Sequence, residues 1–322
     1  SDQFDKSFII KSFFNKDNNF KKIQKLDFIL ASKIFNMINE NKLDVYKSHS
    51  YKKIMLEFSI LLDPKMDISR YTLAEIYNKE ETTNHAIKNL DSISNESFFS
   101  LAAHLKKLSI IKTTGIKSKY ETLLFKIFDF WPENKFVLHR LANYYKSKKQ
   151  YYKSIKIYEK ILNDQNSNDR DLFLYASNLD KIGKWKDAKV LFFKLLKKSP
   201  KDTYTLNYVS YKLALKEEEL ELALELIKKA LVLDPENGYF LDTLGWVEFK
   251  RKNYNTAVYF LEKSVSILPK SAEVIDHLGD CYFMLNRKKE AVFEWNKALR
   301  YENNKNVIKT IKEKIIKHGH LL

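Results

Sequence analysis

The chain has 322 residues with only six glycines and five prolines, and its formal net charge at pH 7 is +16. This length fits one elongated repeat domain or two globular ones, and the scarcity of glycine and proline indicates mostly helical protein with short turns. No run approaches the roughly 18 consecutive apolar residues of a membrane span, and the single cysteine, Cys281, excludes an intramolecular disulfide. The chain begins with Ser1 and shows no basic-then-apolar leader, so we expect a mature or trimmed form in which an export signal is no longer visible.

Lysine carries almost all of the positive charge: 51 of the 57 basic residues are Lys and six are Arg. A field of this sign attracts nucleic acid or an anionic membrane surface. Specific recognition of phosphates and bases depends on arginine, however, and an AT-rich coding sequence would produce the same excess of Lys, Asn, Ile, Tyr and Phe. The composition therefore favours codon bias over nucleic-acid binding, which stays open as an alternative.

The first predicted element is an N-terminal helical region, residues 1–66. Its apolar residues recur at helical spacing, and they are Leu26, Ile29, Leu30, Ile34, Met37 and Ile38. Their pattern matches the following segments poorly. We therefore interpret this region as degenerate repeats or a cap.

All five prolines lie on one spacing along the chain. They are Pro64, Pro132, Pro200, Pro235 and Pro269, separated by 68, 68, 35 and 34 residues. Proline lacks a backbone N–H and suits the junction between helices. A period of 34 residues is that of a helix–turn–helix unit that stacks into a solenoid.

Residues 67–304 form a predicted array of about seven such units. The unit 67–100 is regular, whereas 101–134 keeps only a regular second helix and has a longer loop at Thr113-Thr114-Gly115. Units 135–168 and 169–201 follow. The sequence thus predicts that most of the chain is one repeat array.

The pattern is clearest within residues 202–304, where three units follow one another. The unit that ends at Pro235 has one extra residue in its turn, around residues 216–219, which accounts for the spacing of 35. Apolar spacing in 307–316 predicts a final helix with a Lys-rich outer face. We therefore predict that residues 305–322 are a capping helix and tail that keep the end of the array soluble.

Each clear first helix carries a small residue near its middle: Ala142, Ala176, Ser210, Gly245 and Gly279. A small side chain there lets the second helix of the unit approach closely, and larger apolar residues fill the remaining space. Each helix has about a dozen residues, too few for stability alone in water. Every unit therefore depends on its neighbours.

These residues make the chain resemble the tetratricopeptide repeat family, through the 34-residue period and the order Leu-Gly, Tyr, Ala, aromatic, Ala, Pro. The resemblance covers 67–304 and is strongest in 203–304. The segments Asp242-Thr-Leu-Gly-Trp246 and Ile275-Asp-His-Leu-Gly-Asp280, the second followed by Arg287-Lys-Lys-Glu-Ala291 and Trp295, are similar to C-terminal repeats of alphaproteobacterial members. The resemblance implies an all-α solenoid, coiled as a right-handed superhelix, that serves as a binding scaffold without catalysis.

The resemblance also bears on location and on the type of site. Many alphaproteobacterial members carry an export or lipoprotein signal, which implies a periplasmic or membrane-anchored bacterial cell-envelope protein, with the cytoplasm as the alternative. Members that bind chaperones grip a carboxylate through Lys and Asn residues on successive units. Here His139 and Asn143 occupy the first two groove positions and Leu174 stands where the second Asn is needed, which argues against such a clamp.

In such a solenoid the first helices line the concave face, so their side chains that do not serve packing are the candidate partner-binding residues. By register these are Phe136, His139, Asn143, Phe173, Tyr204, Asn207, Tyr211, Tyr239, Asp242, Trp246, Phe249, Asp276, His277, Asp280 and Phe283. Lys146, Arg170, Ser177 and Glu273 share the same register.

Two features of this set each have two interpretations. Its aromatic residues either anchor a bound peptide or helix or belong to the core. Asp276 and Asp280 lie one helical turn apart and either contact a partner or simply solvate the helix. Like charges at this spacing cost a few tenths of a kcal/mol, which favours a partner.

The chain lacks the usual marks of an enzyme or a cofactor site. Its six glycines are scattered, so they form no phosphate-cradling loop, and no histidine belongs to a His-Glu-x-x-His helix. His318 and His320 form at most a weak metal pair in the tail, and Asp276, His277 and Asp280 come from a single helix. We therefore expect a protein without catalytic activity, cofactor or metal.

Three functions remain open. The first is a protein-interaction scaffold that binds a peptide or helix of a partner in the concave groove. The second is nucleic-acid binding through the lysine clusters Lys146–Lys160 and Lys184–Lys201. The third is self-association of an envelope-assembly lipoprotein.

Overall fold

The computed structural model describes residues 29–36, 49–115, 117–163 and 167–319. Within these ranges all regular structure is helical, and no strand occurs in them. Helices follow one another in pairs, which confirms the predicted all-α repeat solenoid. The right-handed sense of the superhelix stays a prediction, as do the predicted boundaries at residues 66/67 and 304/305.

A helical segment at 29–36 precedes sixteen helices of the described residues. They are α1 (His49–Leu62), α2 (Asp67–Lys79), α3 (Thr83–Asp91), α4 (Ser100–Thr113), α5 (Lys117–Phe130), α6 (Lys135–Ser147), α7 (Tyr151–Asn163), α8 (Asp169–Lys181), α9 (Trp185–Lys198), α10 (Thr203–Lys216), α11 (Leu220–Leu233), α12 (Gly238–Lys250), α13 (Tyr254–Ile267), α14 (Ala272–Met284), α15 (Lys288–Leu299) and α16 (Lys305–Gly319).

The chain divides into two compact units, Ser1–Leu141 and Ala142–Leu322. In the first unit, Phe35 of the 29–36 segment packs with Leu56, Leu73 and Ile76. Ile34 is also buried, whereas Ile29 and Leu30 are exposed. Leu26, Met37 and Ile38 of the predicted N-terminal pattern lie outside the described residues.

A second cluster of the first unit joins α2, α3 and α4. Its buried residues are Ala74, Ala86, Leu90, Ile93, Ala103 and Ile110. Ala86 and Leu90 are four residues apart on α3, and Ala103 and Ile110 are seven apart on α4, so each pair shares one face of its helix, as expected for short amphipathic helices that are stable only when packed. The first unit therefore has its own core.

In the second unit each first helix packs on its own second helix, and the first helices α10, α12 and α14 also contact one another directly. Helix α12 is buried along residues 240–248, polar side chains included, because α10, α11, α13 and α14 surround it. We call the side formed by α8, α10, α12 and α14 the inner face. The second helices α9, α11, α13 and α15 form the outer face.

The small residues predicted inside the first helices lie at the closest helix contacts. Ser210 Oγ of α10 donates to the carbonyl oxygen of Ala223 in α11 at 2.7 Å, and Ser154 of α7 donates to that of Ala142 in α6 at 3.0 Å. A Cβ at Gly245 would lie 2.6 Å from Leu261 Cγ and 3.2 Å from the Ala257 oxygen. The helices thus approach to distances that larger residues do not allow.

Gly279 supplies a direct test of this packing. A Cβ at this position would lie 2.5 Å from Cδ1 and 2.6 Å from Nε1 of the buried Trp295. We expect Gly279→Ala to lower the free energy of unfolding by about 1–2 kcal/mol, because overpacking costs roughly 1–3 kcal/mol and exceeds the ~1 kcal/mol that alanine gains in helix propensity. Urea unfolding measures this. The double variant Gly279→Ala/Trp295→Phe should lose less than the sum of the two single losses; an unchanged or raised stability of Gly279→Ala would contradict the prediction.

Candidate partner-binding face

Capping residues position the exposed side chains of the inner face. The Asp202 carboxylate accepts a hydrogen bond from the Tyr204 backbone N–H at 3.2 Å, and the Asn237 side chain accepts one from Tyr239 N–H at 3.1 Å. Each cap satisfies a backbone donor that the first turn leaves unpaired. Tyr204 and Tyr239 therefore occupy the second position of α10 and α12, where their side chains are 75% and 59% exposed.

The same position of α8 and α14 holds exposed charged residues, Arg170 and Glu273. At the second position of its helix, each of these four repeats thus carries an exposed side chain, in the order Arg170, Tyr204, Tyr239 and Glu273. Only the two tyrosines present large exposed rings. We call these four residues the exposed row.

Most other predicted aromatic residues pack inside the protein. Phe173 lies half-buried with its ring centroid 5.4 Å from those of Phe192 and Tyr208. The Phe283 ring lies 5.8 Å from that of Trp295. Trp246 is buried, and its ring stacks on Phe249 with centroids 4.7 Å apart. Packing accounts for these rings, so their part in binding stays a prediction.

A buried polar network joins three successive first helices. His277 Nδ1 of α14 lies 2.9 Å from Asp242 Oδ1 of α12, and the His277 ring stacks on Trp246 with centroids 4.0 Å apart. The Tyr211 hydroxyl of α10 donates to Glu273 of α14, 62 residues away in sequence. Three predicted groove residues, Asp242, Trp246 and His277, are therefore buried against one another. A fourth, Tyr211, is half-buried beside them, with its ring centroid 6.2 Å from that of His277.

This network shifts two pKa values. Burial lowers the pKa of His277, but the charge and hydrogen bond of Asp242, with Glu273 and Asp276, outweigh it and the net shift is upward. Burial and the same three carboxylates raise the pKa of Tyr211. The Tyr211 hydroxyl therefore stays protonated and acts as a donor.

The predicted acidic pair, Asp276 and Asp280, forms ion pairs with a lysine of the same chain. Lys314 Nζ of α16 lies 2.8 and 2.9 Å from the two carboxylate oxygens of Asp276 and 2.7–2.8 Å from those of Asp280. Asp280 also accepts a hydrogen bond from Trp295 Nε1 at 3.0 Å. Burial and the Asp280 charge raise the pKa of Asp276, which Lys314 opposes. Lys314 thus balances the like charges that favoured a partner in the sequence interpretation.

A third polar group, which the sequence did not reveal, links α8 and α10. Asp180 accepts a hydrogen bond from the Tyr208 hydroxyl at 2.9 Å and pairs with Lys212 Nζ at 2.8 Å. The sequence signal for this group is an acidic residue near the end of one first helix and a Tyr and a Lys one helical turn apart in the next first helix. Nearby in sequence, the Asn207 side-chain oxygen is enclosed and has no hydrogen-bond partner among the described residues.

The three remaining candidates lie on α6. Phe136 is exposed and His139 is half-buried, and both belong to the first unit. Asn143 is exposed and belongs to the second unit. The buried aromatic and acidic candidates of the described residues, Trp246 and Asp242, lie C-terminal to α6.

The described part of the chain shows no group of three or more His, Cys, Asp or Glu side chains arranged to hold a metal ion. The side chain of His318 and all of His320 lie outside it. Burial, with the charges of Asp280 and Glu262, raises the pKa of the Cys281 thiol to about 12. None of the helices searched in the described ranges is long and apolar enough to cross a membrane.

Comparison with known proteins identifies the repeat type. The family model described as tetratricopeptide repeat matches residues 137–163, which include most of α6 and all of α7. Residues 137–163 therefore match a tetratricopeptide repeat, and the fold of the chain is that of tetratricopeptide solenoids. Tetratricopeptide repeats are generally scaffolds for protein–protein interaction, and proteins that contain them bind protein partners.

One curated tetratricopeptide relative is the TPR repeat-containing protein MJ1428 of Methanocaldococcus jannaschii, 28% identical over 166 residues. The match covers 52% of this chain and 23% of the relative, so the chain spans about a quarter of the relative's length. The closer resemblance to alphaproteobacterial members therefore stays a prediction.

Solved structures agree on the fold. A tetratricopeptide repeat protein from Parabacteroides merdae superposes with a TM-score of 0.65 at 14% identity, covering 76% of this chain and 96% of the other. The Cut9–Hcn1 hetero-tetramer of APC/C gives 0.56 at 14% identity, covering 92% and 63%. At such identities the likeness establishes the tetratricopeptide fold alone.

Proposed function

We propose that this tetratricopeptide protein is a non-catalytic scaffold whose inner face binds a peptide or helix of a partner protein. The exposed row carries the proposal, because it presents Tyr204 and Tyr239 on consecutive first helices above a side-chain layer that is already paired internally. Exposed aromatic rings over a rigid base are typical anchors for a partner.

The spacing of the row suits an extended segment. Packed helices lie about 8–10 Å apart, and an extended chain advances about 3.3 Å per residue. Tyr204 and Tyr239 would therefore contact residues about three apart in a bound segment. Asn207, one helical turn after Tyr204, supplies an acceptor for a backbone N–H of that segment once its side chain turns outward.

The distribution of charge supports a protein partner on this face. Helix α14 carries Glu273, Asp276 and Asp280 and no Lys or Arg. The outer helix α9 carries five lysines and one aspartate. Lys314 offsets one of the three negative charges of α14, which leaves this helix acidic. A phosphate backbone would therefore be attracted to the outer face and repelled at α14, so nucleic-acid binding would use different residues.

A pull-down with nuclease-treated native cell extract tests the proposal. The inner-face variant Tyr204→Ala/Tyr239→Ala is compared with the matched outer-face variant Tyr259→Ala/Phe293→Ala, whose rings are 52% and 65% exposed. We expect the inner-face variant to lose affinity for the captured protein by about tenfold or more, and the outer-face variant to keep it. Circular dichroism first confirms that both variants are folded.

Three other outcomes would contradict the proposal. If the inner-face and outer-face variants capture the partner protein as well as the intact chain does, the binding surface lies elsewhere. Capture that disappears with nuclease in every form would favour nucleic acid and the lysine clusters. Sedimentation that changes with protein concentration, without any captured partner, would favour self-association.

A further inference from the structure

The buried network of the second unit is a contact between repeats rather than within one. Asp242 and His277 lie on consecutive first helices, and Tyr211 reaches past α12 to Glu273. Trp246 lies between Phe249 and His277 as a continuous stack. Helices α10, α12 and α14 are therefore held to one another through a single cluster in which His277 is 94% buried.

Every titratable or charged group that faces this histidine carries a negative charge or none. From α12 comes Asp242, from α14 itself come Glu273 and Asp276, and from α10 comes the neutral phenol of Tyr211. Two lysines approach this cluster. Lys314 of α16 is held by Asp276 and Asp280, and Lys250 Nζ of α12 lies 5.2 Å from the centroid of the Trp246 ring on which His277 stacks. Among the ion pairs of the described residues, Asp242 pairs only with His277, so a proton on His277 supplies the positive charge opposite this carboxylate.

Protonation strengthens two contacts of His277. The hydrogen bond to Asp242 becomes charge-assisted on both sides, and such bonds are roughly twice as strong as neutral ones. The ring also becomes a cation stacked on the Trp246 face, an attractive arrangement. Loss of the proton leaves Asp242, Glu273 and Asp276 facing one another with one positive charge fewer.

We propose that Asp242 and His277, with Tyr211, Trp246 and Glu273 packed around them, form a proton-operated clamp between the first helices α10, α12 and α14. With His277 protonated, the clamp is closed and the three repeats resist separation. With His277 neutral, the clamp weakens and these repeats open more readily. The inference concerns the fold itself and does not depend on the proposed function.

The sign of the pH dependence follows from the direction of the shift. The pKa of His277 in the folded protein is raised above its ordinary value, which is about 6.5. The stabilisation is therefore complete below about pH 6.5 and is lost as the pH rises through the folded-state pKa. Across that window the unfolding equilibrium constant should rise by about tenfold for each unit by which the folded-state pKa exceeds the unfolded one.

Urea unfolding of the full chain between pH 5.5 and 9 measures this, and hydrogen exchange of α12 and α14 amides locates it. We expect the stability of the intact protein to fall with pH across the window and that of His277→Gln to change less. The chain has six other histidines, so the difference between the two curves is the result. Tyr208→Phe is the control, because it removes a comparable hydrogen bond between first helices, to Asp180, and leaves His277 and all of its partners in place; its curve should run parallel to that of the intact protein.

If His277→Gln fails to fold, Asp242→Asn and an NMR measurement on Trp246 test the clamp instead. Asp242→Asn keeps the shape of the side chain and removes its charge, so it should move the titration of His277 to lower pH. Fluorotryptophan NMR follows the ring of Trp246, assigned with Trp246→Phe, and its resonance should titrate with His277. A pH curve of the same slope in His277→Gln as in the intact protein, or an unchanged titration in Asp242→Asn, would overturn the clamp.

Discussion

Replacing Trp295 with alanine is expected to lower the free energy of unfolding of the C-terminal repeats by about 3–5 kcal/mol. The side chain is fully buried and fills the space over Gly279. Its indole N–H also donates to Asp280, which holds Lys314. The loss therefore combines a cavity with a broken contact to α16.

The loss should be local, because each repeat contacts mainly its neighbours. Hydrogen exchange should show faster opening of α14, α15 and α16 than of α8 and α9. Phe293→Ala on the same helix is the matched control, since its ring is largely exposed and surface substitutions of this kind change stability by about 0.5 kcal/mol or less. Equal losses for Trp295→Ala and Phe293→Ala would contradict this account of the core.

Replacing Lys314 with methionine is expected to cost about 1–3 kcal/mol, less than for a fully buried pair because the three side chains keep some solvent contact. Methionine retains the apolar stem and removes the charge that Asp276 and Asp280 share. Without it, the pKa of Asp276 rises further. The penalty is then smaller where Asp276 is protonated and grows as the pH rises above the pKa of Asp276.

Urea unfolding at pH 4 and pH 7 checks this prediction, with the larger difference from the intact protein expected at pH 7. Lys309→Met serves as the control, because Lys309 is exposed and its nearest carboxylate oxygen, on Glu313, is 3.9 Å away. Adding Asp276→Asn to Lys314→Met should restore part of the loss. A penalty that is the same at both pH values would show that repulsion between the two aspartates is not its cause.

Repetition made most of the fold predictable. The spacing of the prolines and the small residues inside the first helices were visible in the sequence, and Gly245 and Gly279 do lie at the closest helix contacts. The extra residue predicted near 216–219 lies between α10 and α11, where Glu217 and Glu219 adopt positive φ. Both features depend on residues close in sequence.

One regular feature of the turns was not predictable. Within three residues after each first helix of the second unit a residue adopts positive φ, and these residues are Lys149, Gly183, Glu217, Lys252 and Asn286; the longer turn after α10 adds Glu219. Only one of them is a glycine, the residue that normally marks this conformation. Packing of the helix pair imposes the turn and overrides local preference.

The candidate site was predictable only as a register. The register assigned Tyr204, Tyr239 and Glu273 to first helices, and the structure has each of them at the second position of its helix. Their part in binding a partner stays a prediction. The sequence did not reveal that Asp276 and Asp280 hold Lys314, or that Asp242 pairs with His277. Charge and residue type alone do not distinguish an acidic residue that is free to bind another protein from one that is already paired within the chain.

By itself, then, the sequence determined the repeat period, the helix pairs and which residues belong to the first helices, because these follow from spacing within a repeat and between adjacent repeats. Only the tertiary structure decided which of those residues remain exposed. The Tyr211 contact with Glu273 joins residues 62 apart in sequence, and that of Lys314 with Asp276 joins residues 38 apart. Both contacts depend on how successive repeats are rotated against one another. That rotation arises from the summed packing of successive repeats, and no short pattern of residues encodes it.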